Sequence, residues 1–271
     1  MRLISVAYCI NPYSSDYCFT FAPRMTKFDH DSVVPYKESA LTKKQQVAEM
    51  FNRIAFRYDF MNRFLSAGID IGWRKKALKQ LAEEKPKVLL DVATGTGDIA
   101  IMAYELLKPD SIIGIDISEK MLEIGKEKVL KSGLEQHIQL QSGDSEAINF
   151  PEGSFDAVTV AFGVRNFEHL EQGLEEIKRV LKPGGKLVIL EFSKPKITGI
   201  AQLYNWYVGI VAPQMASIVS NNRKAYQYLN KSVQGFPEGK AFVDILNNVG
   251  FRNTSCKKLS LGICSIYCGV K

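Results

Sequence analysis

Between residues 88 and 192, short continuous apolar runs alternate with stretches of helical spacing. Residues 88–92, 111–116, 138–142, 155–161 and 186–192 read as five strands. Residues 99–107, 119–131 and 170–181 read as helices, with Ser118 a ready N-cap for the second. Pro151-Glu152-Gly153-Ser154 and Pro183-Gly184-Gly185 mark turns. Strands bridged by helices require right-handed crossovers, so the pattern predicts an α/β fold, mostly parallel, with helices on both faces. Residues 239–248 add a helix capped by Gly250. The runs 253–259 and 263–270 lie too close together to pair except antiparallel, so an antiparallel C-terminal strand should close the sheet.

The flanks follow other patterns. Residues 1–40 show no sustained period and are punctuated by Pro12, Pro23 and Pro35, which predicts a poorly ordered extension. Met25 offers an alternative start. From Lys43 onward, Val47, Met50, Phe51, Ile54 and Ala55 fall at helical spacing, and residues 58–68 are rich in aromatics and methionine. Trp73, Ala77, Leu78 and Leu81 mark a further helix. Residues 41–271 thus read as one domain, with a helical cap over 43–81. Residues 197–240 break the alternation, and their apolar stretch 203–211 is followed by Pro213. They read as an inserted lid, or as helices packed on the surface.

Composition narrows the class. A chain of 271 residues with 46% hydrophobic content can bury one sizeable core and carry an appendage. The net charge of +6 suits anionic lipid headgroups, but the charges are scattered and mixed. No linear basic block of the kind a nucleic-acid channel shows is present. The five cysteines lack zinc-site spacing and read as free thiols in a reducing, cytoplasmic setting, with no metal site. No apolar run reaches membrane-spanning length, and the first 21 residues are too interrupted for a signal peptide.

The candidate chemistry lies in Asp91-Val92-Ala93-Thr94-Gly95-Thr96-Gly97-Asp98, a strand ending in a glycine turn and a helix start. Such a turn brings backbone close to a ligand at the carboxyl end of a parallel strand, beneath unpaired helix N–H groups. The run Gly95 to Ala100 satisfies a loose dinucleotide pattern, and Asp116 follows at about the 20-residue distance of a ribose-binding acid. A nicotinamide-dependent oxidoreductase is therefore one reading. Against it, Asp91, Asp98 and Asp144 surround the turn with acids, which suit a cationic cofactor better than a pyrophosphate. S-adenosylmethionine carries a sulfonium, an amino group and a ribose diol. Its contacts would fall at Asp91, Gly95, Gly97, Asp116, Ile117, Asp144 and Ser145.

Residues 91–98, Gly114-Ile115-Asp116-Ile117-Ser118, Gly143-Asp144-Ser145-Glu146-Ala147 and Lys182-Pro183-Gly184-Gly185 resemble the motifs of class I S-adenosylmethionine-dependent methyltransferases. Residues 47–73, Ala161-Phe162-Gly163-Val164-Arg165-Asn166, Leu190-Glu191-Phe192-Ser193-Lys194-Pro195, Tyr226-Gln227-Tyr228-Leu229 and Ser232-Val233 resemble, more narrowly, the UbiE/MenG/COQ5 family. That family methylates a ring carbon of polyprenyl quinols in menaquinone and ubiquinone biosynthesis. The resemblance covers roughly residues 35–271 and implies a Rossmann-like methyltransferase fold. It also implies cofactor contacts at Thr96, Asp116, Asp144 and Ser145. Many members carry serine where this chain has Ala161, so a hydroxyl contact is lost there.

Carbon methylation needs a ring carbon made nucleophilic by loss of a neighbouring hydroxyl proton. Arg165 and Asn166, just after the fourth strand, are the expected catalytic pair. Arg165 would stabilise a phenolate electrostatically and is too basic to take the proton, which points to a water. His169 is close in sequence but is expected to face solvent. Tyr58, Asp59 and Asn62 are expected to line the quinol pocket. A menaquinone-pathway enzyme is the preferred reading, and the ubiquinone-pathway step is its alternative. An idle Rossmann-like binding module is disfavoured because every acid and glycine of the cofactor motifs is present. Peripheral contact with the inner face of the membrane and a homodimer are compatible with these features.

Overall fold

The structure, a computed structural model, describes residues 28–195 and 223–271. Of the lid expected over 197–240, residues 197–222 lie outside the described residues. Five strands follow the expected order: β1 (Val88–Val92), β2 (Ser111–Asp116), β3 (Ile138–Ser142), β4 (Phe155–Ala161) and β5 (Leu181–Phe192). They are joined by β6 (Arg252–Leu259) and β7 (Cys264–Val270) in one sheet ordered β3-β2-β1-β4-β5-β7-β6. The first five pair in parallel, and β7 lies antiparallel between β5 and β6. The predicted α/β sheet with its antiparallel closure is the one observed. The chain steps from β1 out to β3 and then returns to place β4 on the other side of β1. Ligands of open α/β sheets bind at such a reversal, outside the strand carboxyl ends.

Although the strands read as continuous apolar runs, their side chains alternate between two cores. Leu90, Val92, Val158 and Val160 face α5 (Leu170–Val180) and α7 (Lys240–Val249), where Leu174, Ile177, Phe242 and Leu246 are buried. Leu89, Ala157 and Val188 face the opposite way. They meet Trp73 of α2 (Ile69–Leu78), Ala100 of α3 (Asp98–Leu107) and Leu122 of α4 (Glu119–Lys131). Each fully buried large apolar side chain contributes about 1.5–3 kcal/mol relative to exposure. A third cluster joins α1 (Lys43–Leu65), Met121 of α4, and α6 (Arg223–Gly235) through Val47, Met50, Ile54, Met61, Ala225 and Tyr228. It holds the cap beside the sheet.

Four local expectations change. The helical spacing from Lys43 continues unbroken to Leu65, so the first cap element is one 23-residue helix. Thr42 caps it, accepting from the Gln45 N–H while the Gln45 side chain accepts from the Thr42 N–H. Gly68, at φ +76°, turns the chain, and α2 starts at Ile69 rather than at Trp73. The Pro183-Gly184-Gly185 turn is absorbed into β5. Pairing with β4 runs from Leu181↔Phe155 directly to Lys186↔Ala157, leaving the intervening residues as a bulge. Finally, residues 28–40, assigned to the poorly ordered extension, pack on the body. His30 is buried edge-on against Phe236, the Lys43 ammonium donates to the His30 carbonyl at 2.8 Å, and the Tyr36 N–H donates to Gln46 at 2.8 Å.

Candidate active site

The turn after β1 is held by the acid that ends β2. One Asp116 oxygen accepts the Gly95 N–H at 2.8 Å and the other accepts the Ser118 N–H at 2.8 Å. The turn takes the left-handed conformation at Ala93 (φ 55°), Gly95 (φ 56°) and Gly97 (φ 76°). After β4, Phe162 does the same at φ 59°. Two non-glycine residues in this costly region therefore sit at the carboxyl ends of neighbouring strands, where strain is characteristic of ligand sites. A Cβ at Gly95 would meet no protein atom within 4 Å, so the backbone there is open to a ligand.

Above the turn lies a cleft of about 660 Å³, counted to its open mouth. Val47, Phe51, Ile117, Met121, Phe162 and Phe167 form apolar walls, with Asp116, Asp144, Ser145 and Asn166 among the polar lining. A smaller cavity adjoins it through Tyr58, Ala93, Gly95 and Ala161, and is lined by Asp59, Asp91, Thr94, Thr96 and Asp98. Thus Gly95, Asp116, Ile117, Asp144, Ser145, Tyr58 and Asn166 meet around the cleft, while Asp91, Thr96 and Asp59 meet in the annex.

Three candidate residues stand elsewhere. Gly97 lines neither cavity. A Cβ there would press Leu140 at 3.2 Å, so its lack of a side chain serves the packing of α3. Asn62 also lies off both linings and reaches Tyr58 instead. Arg165 lines neither cavity, because its guanidinium is buried against protein acceptors. It donates to Glu191 of β5 at 2.7 Å and to the Phe162 carbonyl at 2.5 Å, and it lies over the Phe192 ring. Its Nε has no hydrogen-bond partner among the described residues. The expected direct contact of Arg165 with substrate is corrected to a supporting place behind the wall. His169, expected to face solvent, is half exposed, and its Nδ1 lies 3.0 Å from Glu146.

Electrostatics grade the site. Asp91 is buried beneath the annex and its oxygens accept the Thr94 and Thr159 hydroxyls at 2.6 and 2.7 Å. Burial raises its pKa to about 7, against those two bonds. Desolvation likewise raises Asp116 and the Tyr58 phenol. Asp98 goes the other way: despite desolvation, the neighbouring Lys128 ammonium holds it below the usual carboxylate range. Lys128 also meets Asp59 at 3.0 Å, and Arg63 meets Asp98 at 2.7 Å.

The sequence reading missed Lys44. Its ammonium lies 2.6 Å from Asp144 and 3.1 Å from Glu146, so the start of α1 is clamped to the β3–β4 connection. Desolvation opposes its charge, but these two acids raise its pKa overall. A signal was present. Lys43-Lys44 follows a capped helix start, where the helix dipole disfavours cations, so such lysines must answer to acids elsewhere. Tyr228 was quoted only as part of a motif; its hydroxyl donates to the Asn166 side-chain oxygen at 3.1 Å.

The donor set decides between the two cofactor classes. A pyrophosphate in a glycine turn needs free backbone N–H groups. Here the Gly95 N–H is engaged with Asp116 and the Gly97 N–H with the Thr94 carbonyl at 3.0 Å. What faces the ligand space is mostly carboxylate, hydroxyl and apolar wall; the two cations on it, Lys44 in the cleft and Arg74 in the annex, pair with Asp144 and Asp70. This fits S-adenosylmethionine, with an apolar slot for a base, acids for a diol and an amine, and no anion cradle. Among the described residues, no group of three or more His, Cys, Asp or Glu could hold a metal ion.

Comparisons with known proteins agree with this geometry. The model of the ubiE/COQ5 methyltransferase family matches residues 39–271. A Bacteroides fragilis protein named demethylmenaquinone methyltransferase is 42% identical over 90% of this chain and 99% of its own length. A Geotalea uraniireducens protein named ubiquinone/menaquinone biosynthesis C-methyltransferase is 46% identical over 85% of this chain and 99% of its own. Among solved structures, an S-adenosylmethionine-dependent methyltransferase from Thermotoga maritima superposes with a TM-score of 0.60 at 19% identity, covering 83% of this chain and 99% of that one. That likeness concerns the fold.

Proposed function

The chain belongs to the ubiE/COQ5 methyltransferase family, and we propose that it transfers a methyl group from S-adenosylmethionine to a ring carbon of demethylmenaquinol, giving menaquinol. The observation that carries the reading is the two-part cavity at the β1/β4 reversal. Its annex is acidic and its cleft is walled by aromatic and aliphatic side chains. When bound, S-adenosylmethionine supplies an electrophilic methyl group on sulfonium.

The chain's residues would hold the two partners and shape the charge between them. Asp91 and Asp59 would receive the amino group in the annex, and Asp116 the ribose hydroxyls. Ile117 and Met121 would flank the base, with Asp144 and Ser145 at its polar edge. Tyr58 and Asn166 face the same cleft and would hold the oxygens of the quinol ring. Among the described residues no histidine lines the cleft, so the hydroxyl beside the reacting carbon would lose its proton to water. The ring carbon so activated would take up the methyl group that S-adenosylmethionine supplies, and the ring would release the hydrogen of that carbon as a proton to water and recover aromaticity. Arg165, paired with Glu191 behind the wall, would bias the field at the phenolate oxygen. Positioning of two reactants in this way can contribute several kcal/mol.

The apolar stretch 203–211 and the net charge of +6 support peripheral contact with a membrane that holds the prenyl tail. No helix among the described residues is long and apolar enough to cross a membrane. The substrate assignment is tested by competition. Purified protein is given S-adenosylmethionine with equal amounts of a short-tailed demethylnaphthoquinol and the matching methoxybenzoquinol. Methylation of the naphthoquinol supports the reading, and preference for the benzoquinol moves the chain to the ubiquinone step.

A further inference from the structure

Helix α2 sends a cation to the annex. Arg74 lines that cavity and is only 5% exposed. Its Nη1 donates to Asp70, one turn earlier on the same helix. Its Nε has no hydrogen-bond partner among the described residues. A buried donor left unpaired is costly and uncommon in a folded protein. Arg165 shares this feature, but it lines neither cavity. Two contacts hold the Arg74 guanidinium in place. Asp70 fixes one side, and the Phe162 ring lies beneath, its centroid 5.5 Å from Cζ.

The Asp70 carboxylate is shared. It also accepts from Arg63, and from the Ser66 hydroxyl at 2.7 Å. Arg63 goes on to Asp98, and Lys128 joins Asp98 to Asp59. Arg74, Arg63 and Lys128 thus alternate with Asp70, Asp98 and Asp59, three cations against three carboxylates. A cavity balanced in this way suits a zwitterion better than a bare cation.

We propose that Arg74 receives the α-carboxylate of S-adenosylmethionine. The proposal rests on the cofactor reading above and extends it. The acids placed there would take the amino group and the ribose hydroxyls, and none of them can hold an anion. A guanidinium presents its N–H groups in a fixed fork that matches a carboxylate. With Nη1 engaged by Asp70, the side that carries Nε is the one left for a ligand. One such fork serves one carboxylate, far short of the several N–H groups a pyrophosphate takes. Amine to acid and carboxylate to Arg74, the amino-acid end would be anchored at both its charges. That restricts how the cofactor can sit beside the cleft, which is the positioning a methyl transfer needs.

The test compares S-adenosylmethionine with decarboxylated S-adenosylmethionine, which lacks only that carboxylate. Calorimetric titration of the full chain reads both dissociation constants. Wild type should bind the decarboxylated ligand about tenfold to a hundredfold more weakly. Arg74→Gln should lose a similar factor for S-adenosylmethionine and little for the decarboxylated ligand, so that its preference nearly vanishes. Arg74→Lys keeps the charge without the fork, and its preference should fall between the two. Equal binding of both ligands by wild type would overturn the proposal, whatever the variants do to folding. So would an undiminished preference in Arg74→Gln, which would leave Arg74 a structural partner of Asp70. Binding of neither ligand by wild type would overturn the cofactor reading and this proposal together, a result distinct from equal binding.

Discussion

The Thr96 hydroxyl donates to the Asp59 carboxylate at 2.7 Å, tying the turn after β1 to the cap helix α1. Lys128 joins the same pair, 3.0 Å from Asp59 and 3.2 Å from Thr96. At the other end of α1, Lys44 grips Asp144. The cap is thus fastened at both ends to residues proposed to bind the cofactor, which predicts that cap position and cofactor binding are coupled.

Thr96→Val removes both hydrogen bonds of this hydroxyl, to Asp59 and from Lys128, and should cost about 1–2 kcal/mol of stability in urea titration. Because the cap forms one side of the cavity, S-adenosylmethionine affinity should fall several-fold more than the stability loss alone accounts for. Urea titration reads the first effect, and calorimetric titration of wild type and variant with S-adenosylmethionine reads the second. Unchanged affinity would show that the cap and the turn act independently.

Asp91 supplies a pH dependence. Its folded pKa of about 7 lies above the unfolded value of 3.8, so it favours the free fold below pH 3.8 and that contribution is lost as pH rises through 7. A cationic ligand reverses the preference, because it binds the ionised carboxylate. Cofactor affinity should therefore rise with pH through about 7 and then level off, with proton release on binding. Asp91→Asn should bind more weakly and without that slope. A slope that persists in the variant would place the titrating group elsewhere.

Arg165 and Glu191 separate stability from chemistry. Breaking this buried pair in Arg165→Met should cost about 3–5 kcal/mol, because Glu191 is left as an uncompensated buried charge. The double variant R165M/E191L should regain most of the melting temperature. If the arginine field acts on the phenolate, the double variant should stay about a hundredfold slow or worse in kcat. Recovery of activity together with stability would make the pair purely structural.

The Asn166 amide donates to the Phe162 carbonyl at 3.4 Å, which turns its oxygen toward Tyr228 to accept the phenol hydroxyl at 3.1 Å. Burial pushes the pKa of that phenol well above its usual value, so it remains a donor across the working pH range. Tyr228→Phe should lower kcat about tenfold with little change in the KM for S-adenosylmethionine. Equal losses in both would instead indicate general disturbance of α6.

The sheet was legible because its apolar runs alternate with helix-spaced segments, and acids and glycines mark the turn beside Asp91. The β5 bulge was not, because Pro183-Gly184-Gly185 reads as a turn by itself and only pairing with Phe155 and Ala157 makes it part of a strand. Arg165 was placed correctly in sequence, just past β4, but its direction depends on Glu191, which lies 26 residues further along the chain and reaches it through sheet pairing. Lys44 and Asp144 are 100 residues apart, and no local pattern links them. Gly97 stands out in the sequence through its glycine motif, while the Leu140 side chain that packs against it comes from β3, over 40 residues on.

The most direct test of the central claim is mass spectrometry of a demethylmenaquinol analogue incubated with S-adenosylmethionine and the purified protein, once reduced and once oxidised. The account predicts gain of one methyl group on ring carbon from the quinol and none from the quinone, because only the quinol can yield a phenolate. No gain from the quinol, with S-adenosylmethionine still raising the melting temperature, would leave the cofactor cleft in place and contradict the substrate. Equal gain from the quinone would contradict the phenolate mechanism.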